Sequence, residues 1–244
     1  MVAQSFWRGL TVLSRGSRLM KAVRGTWKYL VIPTIIDLSV LAFGVIYGAP
    51  WIAANVKAWT LNLSVWGPLD SLLSWIFLVL AWSMALILWL LVVYLVASVL
   101  SLPFYSQMSE HVIRALGVAP KGRGGFGAMV HMLKVGLIKS LVFFFMAMVL
   151  TVVAFVPGFN LLALIATMVI VAADSLDYTF EALRFSFRDR KRHWREHLPF
   201  LFGVAIILAL TSLVPGLTLL LQPFFILGCL DYFVEQVRGG RVQI

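Results

Sequence analysis

Charge of either sign is scarce in this chain, acid above all. Of its 244 residues only 12% are charged, 61% are hydrophobic, and the mean hydropathy is +0.97. A soluble globular domain, whose apolar share lies nearer about 50%, is excluded; one integral membrane domain over 1–244 is the natural reading. Cys229 is the one cysteine and sits in an apolar run, so there is neither a disulfide framework nor a cysteine metal site. No short apolar stretch with a small-residue cleavage site follows the basic N-terminus, so the first membrane helix is expected to be its own insertion signal. Gly122-Arg123-Gly124-Gly125-Phe126-Gly127 fits a dinucleotide-binding pattern but follows a helix rather than a strand, which makes it a flexible loop. No cofactor is expected. Nucleic acid is not an expected partner either, because the basic side chains flank membrane spans instead of covering a soluble surface.

The net charge of +10 is unevenly placed. Arg8, Arg15, Arg18, Lys21, Arg24 and Lys28 crowd residues 1–28 without an acid, and Arg114, Lys121, Arg123, Lys134 and Lys139 share 103–139 with Glu110 alone. Between them, 50–71 carries only Lys57 and Asp70. The positive-inside rule puts both basic segments, and with them the N- and C-termini, on the cytoplasmic side. Anionic lipid headgroups are the expected partners of these segments.

An all-helical membrane fold follows from the patterning. Residues 1–28 read as an amphipathic segment lying on the membrane surface, 29–54 as the first span and 72–102 as the second. Gly44 and Gly48 have the spacing that lets two helices approach closely. Two apolar hairpins follow, over 141–173 and 198–230, turning at Pro157-Gly158 and Pro215-Gly216. Both end in Leu-Asp-Tyr, at Leu176-Asp177-Tyr178 and Leu230-Asp231-Tyr232, so they form a weak internal repeat. Arms of about 15 to 17 residues reach roughly 22 to 26 Å, short of a hydrocarbon core of about 30 Å, and so predict re-entrant elements. Tilted spans in a thinned bilayer would use the same residues. Residues 174–197 read as a cytoplasmic basic helix carrying Arg184, Arg188, Arg190, Lys191, Arg192 and Arg195 as a solvated face.

Three places could carry chemistry. Arg24, Gly25, Thr26 and Lys28 open the first span, where free backbone N–H groups beside two cations make a candidate oxyanion site; a snorkelling basic anchor is the plainer alternative. Asp37 is an acid inside that span and a candidate coupling or pore-lining residue. His193-Trp194-Arg195-Glu196-His197 matches the inverted zinc-protease pattern, with histidines on one helix face at i and i+4, but five basic residues around it disfavour catalytic zinc. No catalytic residue and no metal site is expected.

Together these pieces resemble the CysZ family of bacterial sulfate permeases, related to the etoposide-induced membrane proteins. The resemblance is carried by Gly25 to Pro33 leading into Ile35-Ile36-Asp37, by Leu102-Pro103-Phe104-Tyr105 with Glu110-His111-Val112, and by Phe126-Gly127-Ala128. The two Pro-Gly hairpins, and Asp177-Tyr178 followed by Phe185-Ser186-Phe187-Arg188, complete it. It implies two long spanning helices, two hemi-penetrating hairpins, a homo-oligomer in the inner membrane, and sulfate uptake for cysteine synthesis. The family's Gly-Leu-Arg at the sulfate site is Gly25-Thr26-Trp27 here, and its first-span asparagine is Asp37. Two other readings use the same residues: a membrane adaptor whose basic face binds lipid or a partner, and a metalloprotease using His193, Glu196 and His197.

Overall fold

The computed structural model describes the chain outside residues 1, 49, 53, 56–66, 119–125, 155, 157, 215 and 241–244, and side chains also outside 67–74, 77, 87, 90–91, 94, 126–136 and 187. The Lys57 loop, most of the glycine loop before Phe126, and the hairpin-tip residues Pro157 and Pro215 therefore lie outside the described residues. Among the described residues the fold is wholly helical. In chain order the helices are α1 (Val2–Leu10), α2 (Val12–Ala22), α3 (Trp27–Phe43, continued by a π turn Gly44–Gly48) and α4 (Gly67–Ala115). Then come α5 (Phe126–Ala154), α6 (Asn160–Ala182), α7 (Phe187–Glu196), α8 (Leu198–Ser212) and α9 (Leu217–Arg238).

Among the described residues four segments are long and apolar enough to cross a membrane: Trp27–Ile52, Leu137–Ala154, Asn160–Ala182 and Leu217–Arg238. Their outward faces are apolar, with Val31, Ile35, Leu38 and Phe43 exposed on α3 and Phe145, Val149 and Val152 on α5. Such faces suit lipid and would be unstable in water. α4 runs unbroken for 49 residues through Pro103, so the expected second span and the helix after it form one rod.

Two hairpin arms are longer than the lengths read in the sequence, and α8 keeps its expected length. α6 has 23 residues and α9 has 22, which rise about 35 and 33 Å, while α8 has only 15 and rises about 22 Å. The difference has a physical cause. Polar residues at the base of the first hairpin do not end its helices, because their side chains pair inside the protein. Gly158 (φ +88°) and Gly216 (φ +82°) take left-handed conformations at the two turns, where a Cβ would be strained.

The N-terminal helices bury their small-residue stripes against protein. α1 crosses α8 and α2 crosses α9 at backbone distance. A Cβ on Gly9 would lie 2.3 Å from the Phe200 carbonyl oxygen, one on Gly203 2.4 Å from that of Phe6, and one on Gly16 2.0 Å from that of Phe224. Arg15 pins this layer by pairing with Asp231 at 2.9 Å and Glu235 at 3.1 Å. Gly44 and Gly48 do make a close contact, against the Trp89 ring of α4, whose indole N–H donates to the Gly44 carbonyl at 3.0 Å. The core of the described residues gathers at this end of the molecule, with Tyr105, Tyr178, Tyr232, Phe180, Phe200, Phe225 and Phe233 fully buried.

Candidate functional site

The start of α3 carries the expected oxyanion residues. Gly25 holds φ +86° and lets the chain reverse from α2 into α3. Thr26 is fully buried, and its hydroxyl donates back to the Val23 carbonyl at 2.9 Å instead of capping α3. Trp27 and Lys28 precede the first i→i−4 bonds of α3, where helical amides lack intrahelical partners. Arg24 and Lys28 are exposed, and among the described residues neither forms an ion pair. His111 of α4 completes the rim: its Nε2 donates to the Arg24 carbonyl at 3.1 Å, and its ring lies 5.5 Å from that of Tyr29. Arg24, Gly25, Thr26 and Lys28 thus share one basic helix start.

A second polar centre lies inside the bundle. Asp174, Asp177 and Glu181 project from α6 at i, i+3 and i+7, the spacing of one helix face. Lys139 of α5 reaches all three, at 3.2, 3.2 and 3.6 Å. Its Nζ also sits 4.4 Å over the Tyr178 ring. Arg190 of α7 donates to Asp177 at 2.9 Å and to the Phe185 carbonyl at 3.0 Å. Two cations therefore meet three carboxylates in a nearly water-free setting, which leaves one formal negative charge. Burial on this scale is tolerable only because each charge has partners.

The sequence reads 174–197 as one cytoplasmic helix with Arg190 on its solvated face. Arg190 instead turns inward and is 9% exposed, and 174–182 belongs to the hairpin helix α6. The chain breaks at Arg184 (φ +57°), and Ser186, which accepts from the Asp189 amide at 3.3 Å, caps the separate helix α7. Around α7 the remaining cations Arg188, Lys191, Arg192 and Arg195 do face outward. The i, i+3, i+7 carboxylates were the available signal for the cluster, but local pattern does not reveal which distant cation answers them.

Asp37 adjoins this centre from α3. It is 2% exposed and accepts from Ser101 at 2.7 Å and Tyr105 at 2.9 Å. It borders a void of about 10 Å³ with Ser98, Tyr105, Tyr178, Leu219 and Gln222, room for about one water. A larger cavity of about 340 Å³ lies between α4, α5, α6, α8 and α9. Its wall is apolar apart from Asp174 and the hydroxyls of Ser98, Ser140, Thr167, Ser212 and Thr218. Asp174 thus stands at the boundary between the buried ionic layer and this cavity.

The family model described as Sulfate transporter CysZ/Etoposide-induced protein 2.4 matches residues 5–223. The chain belongs to that family. CysZ/etoposide-induced proteins form a transporter-type family rather than an enzyme family, and the apolar helices agree with a membrane setting. The match to the CysZ/etoposide-induced family takes in both polar centres and the first hairpin whole. No curated protein matches the chain.

Proposed function

We propose that the protein is a permease or channel for sulfate or a similar oxyanion, working as a homo-oligomer in the bacterial inner membrane with both termini cytoplasmic. No enzymatic step or cofactor enters this reading, which serves sulfate assimilation. Besides family membership, the observation that carries it is the basic start of α3, where exposed Arg24 and Lys28 flank first-turn amides and Gly25. An anion there gains from the positive end of the helix dipole and from backbone donors, without a buried cation having to leave its partner. Lys139 and Arg190 are a poorer choice, since their carboxylate partners already hold them. A family arginine is absent at Trp27, so Lys28 and Arg24 supply charge without a bidentate guanidinium at that position.

We read the α8–α9 hairpin as re-entrant. α8 is too short to cross alone, and its tip hydroxyls Thr211 and Ser212 meet Thr218 at 3.4 and 3.2 Å. Polar contacts at a turn satisfy groups that lipid leaves bare. Ser212 and Thr218 also line the 340 Å³ cavity, which extends from the hairpin tip to Asp174. An ionised Asp37 repels a dianion, so Asp37 is the proposed coupling residue, passing anions when it carries a proton.

Sulfate uptake by the purified protein in proteoliposomes tests the function. Saturable uptake above empty vesicles is expected; none, from protein shown to be folded, would remove the transport reading. Replacing Asp37 with Asn is expected to flatten the pH dependence of that uptake, and an unaltered profile would end the coupling role of Asp37.

A further inference from the structure

We propose that His193, Glu196 and His197 form a binding site for one divalent d-block cation of the zinc type, at the elbow where α7 turns into α8. The three residues stand at i, i+3 and i+4, on one face of the last turn of α7. One ligating atom from each lies within 4.8 Å of the other two. Tetrahedral zinc with bonds of about 2.0 to 2.2 Å needs these atoms somewhat closer, roughly 3.3 to 3.5 Å apart. Glu196 can make that movement, because its side chain is 49% exposed.

The two imidazoles are held in different ways. His193 is 3% exposed, and its ring is packed by Phe180, Phe185 and Phe233 at 5.9, 5.3 and 5.6 Å between centroids, while its Nδ1 lies 2.9 Å from Glu196 Oε2. His197 Nδ1 lies 3.0 Å from the Tyr232 hydroxyl, and its Nε2 is buried with no hydrogen-bond partner. With Nδ1–H donating to Tyr232, Nε2 presents a lone pair. Metal-bound histidines have this arrangement, a second ring nitrogen fixed by an outer partner. An imidazole nitrogen buried without a partner is otherwise a net cost to the fold.

The cations nearby do not forbid the site. Arg188, Lys191 and Arg195 are exposed and screened by solvent, and Arg190 is committed to Asp177. Arg192 alone competes, at 3.6 Å from Glu196 Oε1 and itself 63% exposed. Among the described residues no fourth protein ligand joins the three, so the metal would keep water in its remaining position. The expected role is mechanical. α7 and α8 meet at 77° across His197, and a metal tying this junction residue to His193 and Glu196 of α7 would stiffen the elbow from which the short arm α8 enters the bundle. The proposal is independent of the transport reading.

The test is cobalt titration of the full-length, tag-free protein in detergent, read by visible d–d absorption, with displacement by zinc and metal stoichiometry by elemental analysis. One equivalent per chain is expected. Glu196→Gln, at an exposed position that leaves the fold intact, should weaken binding at least about tenfold. Arg192→Ala should tighten it, which a purely structural role for these residues does not explain. His197→Gln, checked for helicity and dispersity, should abolish the spectrum. Absence of stoichiometric binding would overturn the site, as would binding unchanged in Glu196→Gln and His197→Gln, which would assign the metal to His111 or His131.

Discussion

Replacing Lys139 with Met is expected to lower the stability of the detergent-solubilised protein by about 3 to 5 kcal/mol, the cost of leaving a buried ion-pair partner uncompensated. Among the described residues Lys139 is the one group that pairs with Asp174, Asp177 and Glu181 together. Without it the one cation left to the three carboxylates among the described residues is Arg190, whose Nη1 is 2.9 Å from Asp177 and 3.8 Å from Glu181. Asp174 then loses its only ion-pair partner among the described residues. Asn at 174 in the same chain removes one of the stranded charges, so Lys139→Met/Asp174→Asn should recover part of the loss. Thermal unfolding followed by intrinsic fluorescence reads both. A single variant as stable as the parent would mean that the cluster does not hold the hairpin base together.

Gly16→Leu is expected to detach the N-terminal helices. A Cβ at position 16 would stand 2.0 Å from the Phe224 carbonyl oxygen and 2.8 Å from its carbon, and neither is a flexible side-chain end that can swing aside. The backbones of α2 and α9 must therefore separate, which also pulls Arg15 away from Asp231 and Glu235. Overpacking of a tight site costs about 1 to 3 kcal/mol, and more when only backbone can yield. Limited proteolysis should show cleavage before Gly25 at a rate well above that of the parent, while Ser14→Leu, at an exposed position two residues away, leaves the rate unchanged. Equal protection of Gly16→Leu would contradict the close crossing of α2 on α9.

The apolar runs, the glycines of the two turns and the Gly44–Gly48 contact are legible in the sequence, because each is a local pattern. A run of 18 or more apolar residues has few fates, and a glycine after a proline marks a turn because it alone takes positive φ without strain. The ionic layer is not local. It joins Lys139 to residues 35, 38 and 42 positions away on another helix, and the polarity of 174–182 resembles the end of a span when its partner is unknown. Arg190 illustrates the same limit, sitting among four outward-facing cations in sequence while its own side chain turns toward Asp177. The close-contact glycines Gly9, Gly16 and Gly203 carry no information in the sequence about which helix crosses which. His193 and His197 are visible as a spacing, whereas the buried, unpartnered Nε2 of His197 is visible only in three dimensions. At the proposed oxyanion site the opposite holds: Arg24, Gly25, Thr26 and Lys28 are neighbours in sequence, and the structure adds only the burial of Thr26 and the rim made by His111.

The central claim is capture of an oxyanion at the start of α3, and its most direct test is the rate of sulfate uptake into proteoliposomes for the parent and for Thr26→Ala/Lys28→Ala. The account predicts saturable uptake by the parent and loss of most of it in the double variant, with folding and oligomeric state unchanged. Equal uptake by the two proteins would place the site elsewhere.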